Sequence, residues 1–179
     1  EKIAVDASIL IYKSLTNVRK DNSYLTNKDG KVVSHIFGLF HKAIQFLSFG
    51  IEPIFIFDGK PSKIKNETAQ KRRLEKNNAR KEFSNLKKEF TKAKYEDKKN
   101  IETKMDILRK KFITITKDDI KQTQNLLKSY GMTYITAKRE ADELCGALNR
   151  QVYACLTEDT DIMVFGCTRI FRYFSLMKH

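Results

Sequence analysis

"YACLTEDTDIMVFG", residues 153–166, passes from an apolar run into three carboxylates within four residues (Glu158, Asp159 and Asp161) and then back into apolar sequence. Two such charges ~4 Å apart at an effective dielectric of about 20 repel by roughly 4 kcal/mol. "VYACLT" reads as a buried strand, and the same signature occurs twice more. "KIAV" runs into Asp6, and "PIFIF" runs into Asp58 and Gly59. In open parallel sheets, ligands bind beyond the carboxyl ends of the strands, so these acids are expected on one rim.

Working outward, "SILIYKSLTNVR" places Ile11, Tyr12, Leu15 and Val18 at helical spacing. Ser34 is expected to cap a helix carrying Ile36, Phe37, Phe40, Ile44 and Leu47, which Gly50 closes. Strand, helices and strand imply a right-handed parallel crossover. Thr116 and Asp119 have capping-box spacing before "KDDIKQTQNLLKSY", and Gly131 ends that helix. "MTYITA" is a brief strand, "READELCGALNR" a helix, and "RIFRYF" a further strand. The expectation is an α/β fold with a mainly parallel central sheet flanked by helices.

The middle of the chain differs in character. Residues 63–113 contain no glycine or proline, and Leu86, Phe90 and Ala93, then Ile101, Met105, Leu108 and Phe112, recur at helical spacing. Two long helices with wide basic faces are expected, inserted at about 60–115 into one core domain spanning 1–179. The formal net charge is +13, and residues 60–128 hold 22 Lys and Arg against 10 Asp and Glu. Such an excess points to a polyanionic partner, and it sits in the insertion. A passive solvated face is the plainer reading of the same lysines.

No apolar run approaches the ~20 residues of a spanning helix, and no secretory signal opens the chain, so an intracellular protein with no membrane partner is expected. Cys145, Cys155 and Cys167 lie in apolar surroundings without CxxC spacing and read as reduced, buried thiols rather than a zinc site. His35, His41 and His179 share no ligand spacing and read as packed or solvated imidazoles.

Asp6 and Asp58 each have a structural reading, as a helix N-cap and a turn residue. Capping does not account for acids at three strand ends together with Glu140 and Asp142 at the start of a neighbouring helix. Mg²⁺ does, because it takes hard oxygen ligands and keeps several waters. Two such ions suit phosphodiester hydrolysis. Glu140 and Asp142 at i, i+2 fall on different sides of a regular helix, so both serve only from an irregular first turn, or with one acting through water.

With these residues in view, the chain resembles the flap endonuclease family of structure-specific 5′ nucleases. The likeness runs from Lys2 to about Phe174 through "VDASILIY", "SHIFGLFHKAIQFLSFGIEPIFIFDGKP", "EADELCGAL" and "TEDTDIMVFG". It implies a PIN-like nuclease fold in which Asp6, Asp58, Glu140, Asp142, Asp159 and Asp161 hold two Mg²⁺ ions, with Mn²⁺ able to substitute, and Glu158 is not a ligand. Lys65 and Arg72 match a catalytic basic pair on the gateway helix contacting the scissile phosphate. Tyr12 matches an aromatic that stacks on a base, and Arg19 a DNA-contacting arginine. The insertion matches a helical arch that passes the 5′ flap.

The implied activity is Mg²⁺-dependent cleavage of 5′ flap or branched DNA near the single-strand/duplex junction in replication and repair, with 5′ exonuclease action alongside. The implied protein is monomeric, in the nucleus if eukaryotic and otherwise in the cytoplasm or mitochondrion, with a sliding-clamp contact made through a tail outside this sequence. Family chains carry a stretch before the first strand, and beyond "RYF" a further metal-ligand Asp and a duplex-binding segment. These fall outside the 179 residues, so the sequence reads as a fragment or an abbreviated relative with an underfilled second metal site. Asp142 stands where a Glu is more usual. A catalytically weak or inactive branched-DNA binder is the alternative. A phosphohydrolase using "DTD" is a third reading, although that pair would then be expected after the first strand.

Overall fold

The central strand β1 (Lys2–Asp6) is flanked by β4 (Glu52–Phe57) on one side and β6 (Ala154–Leu156) on the other. Alternating polar and apolar residues would suit a strand with one wet face; between their end residues these strands are instead continuous apolar runs, as strands covered on both faces must be. Ile3, Ala4, Val5, Phe55, Ile56, Phe57, Ala154 and Cys155 are all buried. The computed structural model describes residues 1–20, 23–60 and 66–174, with the backbone alone at 19, 20, 23, 66–69 and 95.

β5 (Tyr134–Thr136) and β7 (Ile170–Phe171) extend the sheet to the order β5-β4-β1-β6-β7. Every pairing is parallel. Asp6 lies beside Ile56 and Val5 beside Leu156, so the carboxyl ends of β1, β4 and β6 share one edge. The helices of this unit are α1 (Ala7–Asn17), α2 (Ser34–Ser48), α5 (Lys117–Ser129) and α6 (Ala141–Leu148). Among the described residues, no helix is long and apolar enough to cross a membrane.

Several expectations change in detail. Ser34 is not the cap of α2 but its first residue. Val33 occupies the cap position without a side-chain bond, while the buried Ser34 Oγ donates to the Val18 carbonyl and accepts from Leu25 N–H. A hydroxyl surrounded by core has more to gain from tying two backbone segments together than from capping. α1 stops at Asn17, and Arg19 belongs to β2 (Arg19–Lys20), paired antiparallel with β3 (Ser23–Tyr24). At two residues each, those strands are below the length at which alternation is readable. The capping box at Thr116 and Asp119 is present, both reciprocal bonds included.

The chain divides into two compact units, residues 1–62 with 115–179, and residues 63–114. The second is a pair of helices, α3 (Asn66–Lys92) and α4 (Tyr95–Lys111). Its packed stripe starts earlier than periodicity suggests. Ala79 is buried, and the Phe83 ring meets Phe112 edge-on at 5.4 Å. Arg80 lies over Phe112 and Arg109 over Phe83, so guanidinium groups cover the aromatic seam.

Candidate functional site

Asp6 ends β1 and caps α1. Its Oδ1 accepts from Ser8 N–H at 2.9 Å and Ile9 N–H at 3.3 Å. The capping reading and the rim reading therefore both hold for this residue. Ser8 carries the connection onward, its Oγ donating to Asp58 Oδ2 at 2.7 Å. Asp58 Oδ1 in turn accepts from Ala141 N–H, the first amide of α6, at 2.9 Å. A carboxylate placed there also gains from the positive end of the helix.

The approach of β4 to α6 depends on Gly59. Its N–H donates to the Arg139 carbonyl at 2.6 Å, and a Cβ at Gly59 would overlap the carbonyl oxygen of Ala137. Glu140 is the cap residue of α6, with extended φ −95° and ψ 146°, so it lies outside the helical run. The two-residue offset to Asp142 thus does not place these acids on opposite sides of a regular helix.

On the other side of β1, Thr157 Oγ1 contacts Asp6 Oδ2 at 3.5 Å and accepts from Asp159 N–H at 3.2 Å. Asp159 Oδ1 accepts from Asp161 N–H at 3.0 Å and caps the 3₁₀ turn Thr160–Phe165. Glu158 faces α1 and forms an ion pair with Lys13. Glu143 is partly exposed and pairs with Arg139 at 2.6 Å.

The acids therefore gather in two groups joined through Asp6. Asp6, Asp58 and Asp142 interact electrostatically: burial first, then the charges of Asp58 and Asp142, raise the Asp6 carboxyl from 3.8 to about 7, against the lowering effect of its Ile9 and Ser8 N–H bonds. Asp159 and Asp161 join through Thr157 rather than by direct contact. Among the described residues, no three His, Cys, Asp or Glu side chains are already gathered tightly enough to hold a metal ion.

The donor set nonetheless fits a hard cation. It consists only of carboxylate oxygens, each with two acceptor sites, so the bonds above leave coordination capacity. The raised Asp6 is the mark of negative charge that a proton or a cation must neutralise.

Tyr12 is an exposed ring on α1. Arg72 is exposed on α3, one helical turn from Lys76, whose ammonium is pushed down by burial, then by Arg80 and Arg72. Arg72, Lys76 and Arg80, four apart, thus form a cationic row. The side chain of Arg19 and all of Lys65 lie outside the described residues. Ser8 and Thr157, the two hydroxyls that link the acids, were not singled out in the sequence. Their one sequence signal is proximity to an acid, Ser8 two residues after Asp6 and Thr157 two before Asp159.

Residues 1–79 match the family model for the XPG N-terminal domain, and residues 131–179 that for the XPG I-region. Flap endonuclease 1 of Nematostella vectensis is 37% identical over 179 residues, covering 99% of this chain and 45% of the relative. The chain thus spans less than half the length of that relative. A structure of the catalytic core of Rad2 in complex with DNA substrate superimposes with a TM-score of 0.65 at 32% identity, covering 99% of this chain and 45% of that one. Flap endonuclease-1 from Methanococcus jannaschii gives a TM-score of 0.65 at 26% identity, with 96% and 52% covered. With both blocks of the family's nuclease region matched in order, and the acids of each on a single sheet edge, the chain belongs to the flap endonuclease family of structure-specific 5′ nucleases.

Proposed function

We propose that this chain is the nuclease core of an enzyme that hydrolyses a phosphodiester near the junction of a 5′ flap with duplex DNA, using Mg²⁺. The observation that carries the reading is the relay from Asp6 through Ser8 to Asp58 and on to the α6 amide, which ties three acid-bearing segments to one rim. Asp6, Asp58, Glu140 and Asp142 would hold one cation, and Asp159 and Asp161 a second. Bound there, Mg²⁺ supplies an activated water and a positive charge for the leaving oxygen.

The protein's own groups do the rest. Ser8 and Thr157 fix the carboxylate orientations, and the Lys13–Glu158 pair anchors the "TED" segment to α1. Tyr12 offers a face on which a base can stack, a contact worth about 1–3 kcal/mol. Arg72, with Lys65 and Arg19, is assigned to strand phosphates; Arg suits that role through its planar fork of donors. The protein acts as a monomer on branched DNA, and a clamp contact would come from sequence outside these residues.

A second reading, a branched-DNA binder that cuts weakly, is favoured by one observation: the described acids do not form a ready three-ligand cluster. Flap-bearing DNA incubated with and without Mg²⁺ separates the two. Cleavage that requires Mg²⁺ and disappears in Asp58→Ala and Asp159→Ala is expected. Cleavage that persists in a chelator or in those variants rejects the metal assignment, and salt-sensitive binding with no product in excess Mn²⁺ selects the second reading.

A further inference from the structure

On the metal assignment proposed above, we infer that Asn149 is a positioning residue for the cation site. From the far end of α6, its side-chain amide sets where the turn carrying Asp161 stands relative to Glu140 and Asp142. The geometry is a clamp on three consecutive residues. Asn149 Oδ1 accepts from Thr168 N–H at 3.2 Å and from the Cys167 thiol at 3.4 Å. Its Nδ2 donates to Thr168 Oγ1 at 3.1 Å and to the Gly166 carbonyl at 3.5 Å. Both ends of the amide are used, and the residue is buried.

The plainer account of an asparagine at a helix end is that it takes the left-handed conformation that closes the helix. Asn149 does not. It stays right-handed, with φ −52° and ψ −29°, and the left-handed residue is Gly166 beyond the 3₁₀ turn, with φ 82°. An amide at 149 is therefore explained by its bonds to residues 166–168, not by its backbone.

The turn has few other restraints. A 3₁₀ helix has poorer hydrogen-bond geometry than an α-helix, and within Thr160–Phe165 Ile162 is buried whereas Met163, Val164 and Phe165 are exposed. Asp159 N–H ties the leading end to Thr157, and Asn149 ties the trailing end to α6. The helix also approaches the turn closely, since a Cβ at Gly146 would lie 2.5 Å from the Phe165 carbonyl oxygen. At its start, α6 is fixed by the bond from Ala141 N–H to Asp58. One eight-residue helix thus carries the first acid group at its beginning and holds the turn of the second at its end. Slack at Asn149 would widen or skew the gap between them, which a cation demanding near-ideal octahedral geometry tolerates poorly.

The 179-residue chain is titrated with Mn²⁺ by calorimetry, and flap cleavage is followed as Mg²⁺ is raised. Asn149→Ala should bind Mn²⁺ about 10-fold more weakly, the lower end of the loss when groups that orient metal ligands are replaced. It should need correspondingly more Mg²⁺ for half-maximal cleavage and recover when Mg²⁺ is in excess. Thr168→Val, which removes one of the amide's bonds and keeps the shape, should weaken Mn²⁺ binding by about threefold, and it decides the matter if Asn149→Ala does not fold. Thr116→Ala, which loosens the cap of α5, should lower stability and leave Mn²⁺ affinity unchanged. Wild-type uptake of Mn²⁺ with equal affinity in both clamp variants overturns the positioning role alone, as does an equal loss in Thr116→Ala. A wild type that takes up no Mn²⁺ overturns the metal assignment and this role together.

Discussion

Replacing Asp6 with Asn tests the electrostatics of the rim without the need for any substrate. The folded protein holds the Asp6 proton up to about pH 7, whereas the unfolded chain releases it near 3.8. Between those values the native state binds more protons than the unfolded state, so this group makes stability fall as pH rises, by about 1.4 kcal/mol per pH unit. Across the whole window the loss approaches about 4 kcal/mol, present in full above pH 7 and absent below pH 3.8. Asn cannot ionise, yet it caps helices as well as Asp does, so the bonds to Ser8 and Ile9 N–H survive. In chelator, Asp6→Asn should match the wild type near pH 4 and exceed it by about 3–4 kcal/mol at pH 8. His35, whose imidazole burial pushes down, titrates with the opposite sense: folding keeps it neutral, so stability drops as pH falls below 6.5. Because both proteins carry His35, the difference between them isolates Asp6. Urea denaturation followed by circular dichroism at pH 4, 5, 6, 7 and 8 gives that difference. Adding Mg²⁺ at pH 8 should stabilise the wild type and narrow the gap. Parallel stability profiles with no divergence above pH 5 would refute the crowding of Asp58 and Asp142 around Asp6.

Arg72→Ala should reduce flap cleavage by about 10–100-fold, the loss expected for one charge-assisted phosphate contact. It should also flatten the salt dependence of DNA binding by about one phosphate, and unchanged cleavage with an unchanged slope would mark α3 as a passive surface. Thr116→Ala removes the hydroxyl that accepts from Asp119 N–H and should cost about 1 kcal/mol in chemical denaturation. Stabilisation by Mg²⁺ should not change in that variant, because the capping box of α5 serves the fold.

The centre of the sheet was legible because its three strands carry continuous apolar runs that each end at a polar break. "KIAV", "PIFIF" and "VYACLT" needed no partner to be recognised, and their ends located the rim. The small β2–β3 pair and the role of the buried Ser34 escaped local reading. Each is fixed by what lies across the fold, Ser34 by Val18 and Leu25, rather than by its neighbours in sequence. For Glu140 and Asp142, the objection from helical spacing assumed that both were helical, whereas the extended backbone of Glu140 removes that assumption.

Capping and metal binding were opposed readings of Asp6 and Asp58, and the hydrogen bonds show that capping leaves the proposed metal role open. Acids placed close together before any cation arrives need a source of positive potential. Three backbone N–H groups, from Ser8, Ile9 and Ala141, supply it to two of them. A carboxylate that accepts such bonds is favoured in its charged form, so the helix starts offset part of the repulsion that burial and neighbouring acids impose on Asp6. The remainder leaves Asp6 at about 7. At that value a proton leaves readily as a divalent cation approaches, whereas a fully relieved site would gain little from the cation and an unrelieved one would stay protonated. On the proposed metal assignment, the caps would therefore tune the rim for cation uptake near neutral pH. Asp58→Asn, which keeps an acceptor for Ala141 N–H but removes one charge, should lower the Asp6 pKa. The fall would be visible by NMR titration of the Asp6 carboxyl carbon, and an unmoved titration would show that the Asp58 charge does not contribute to it.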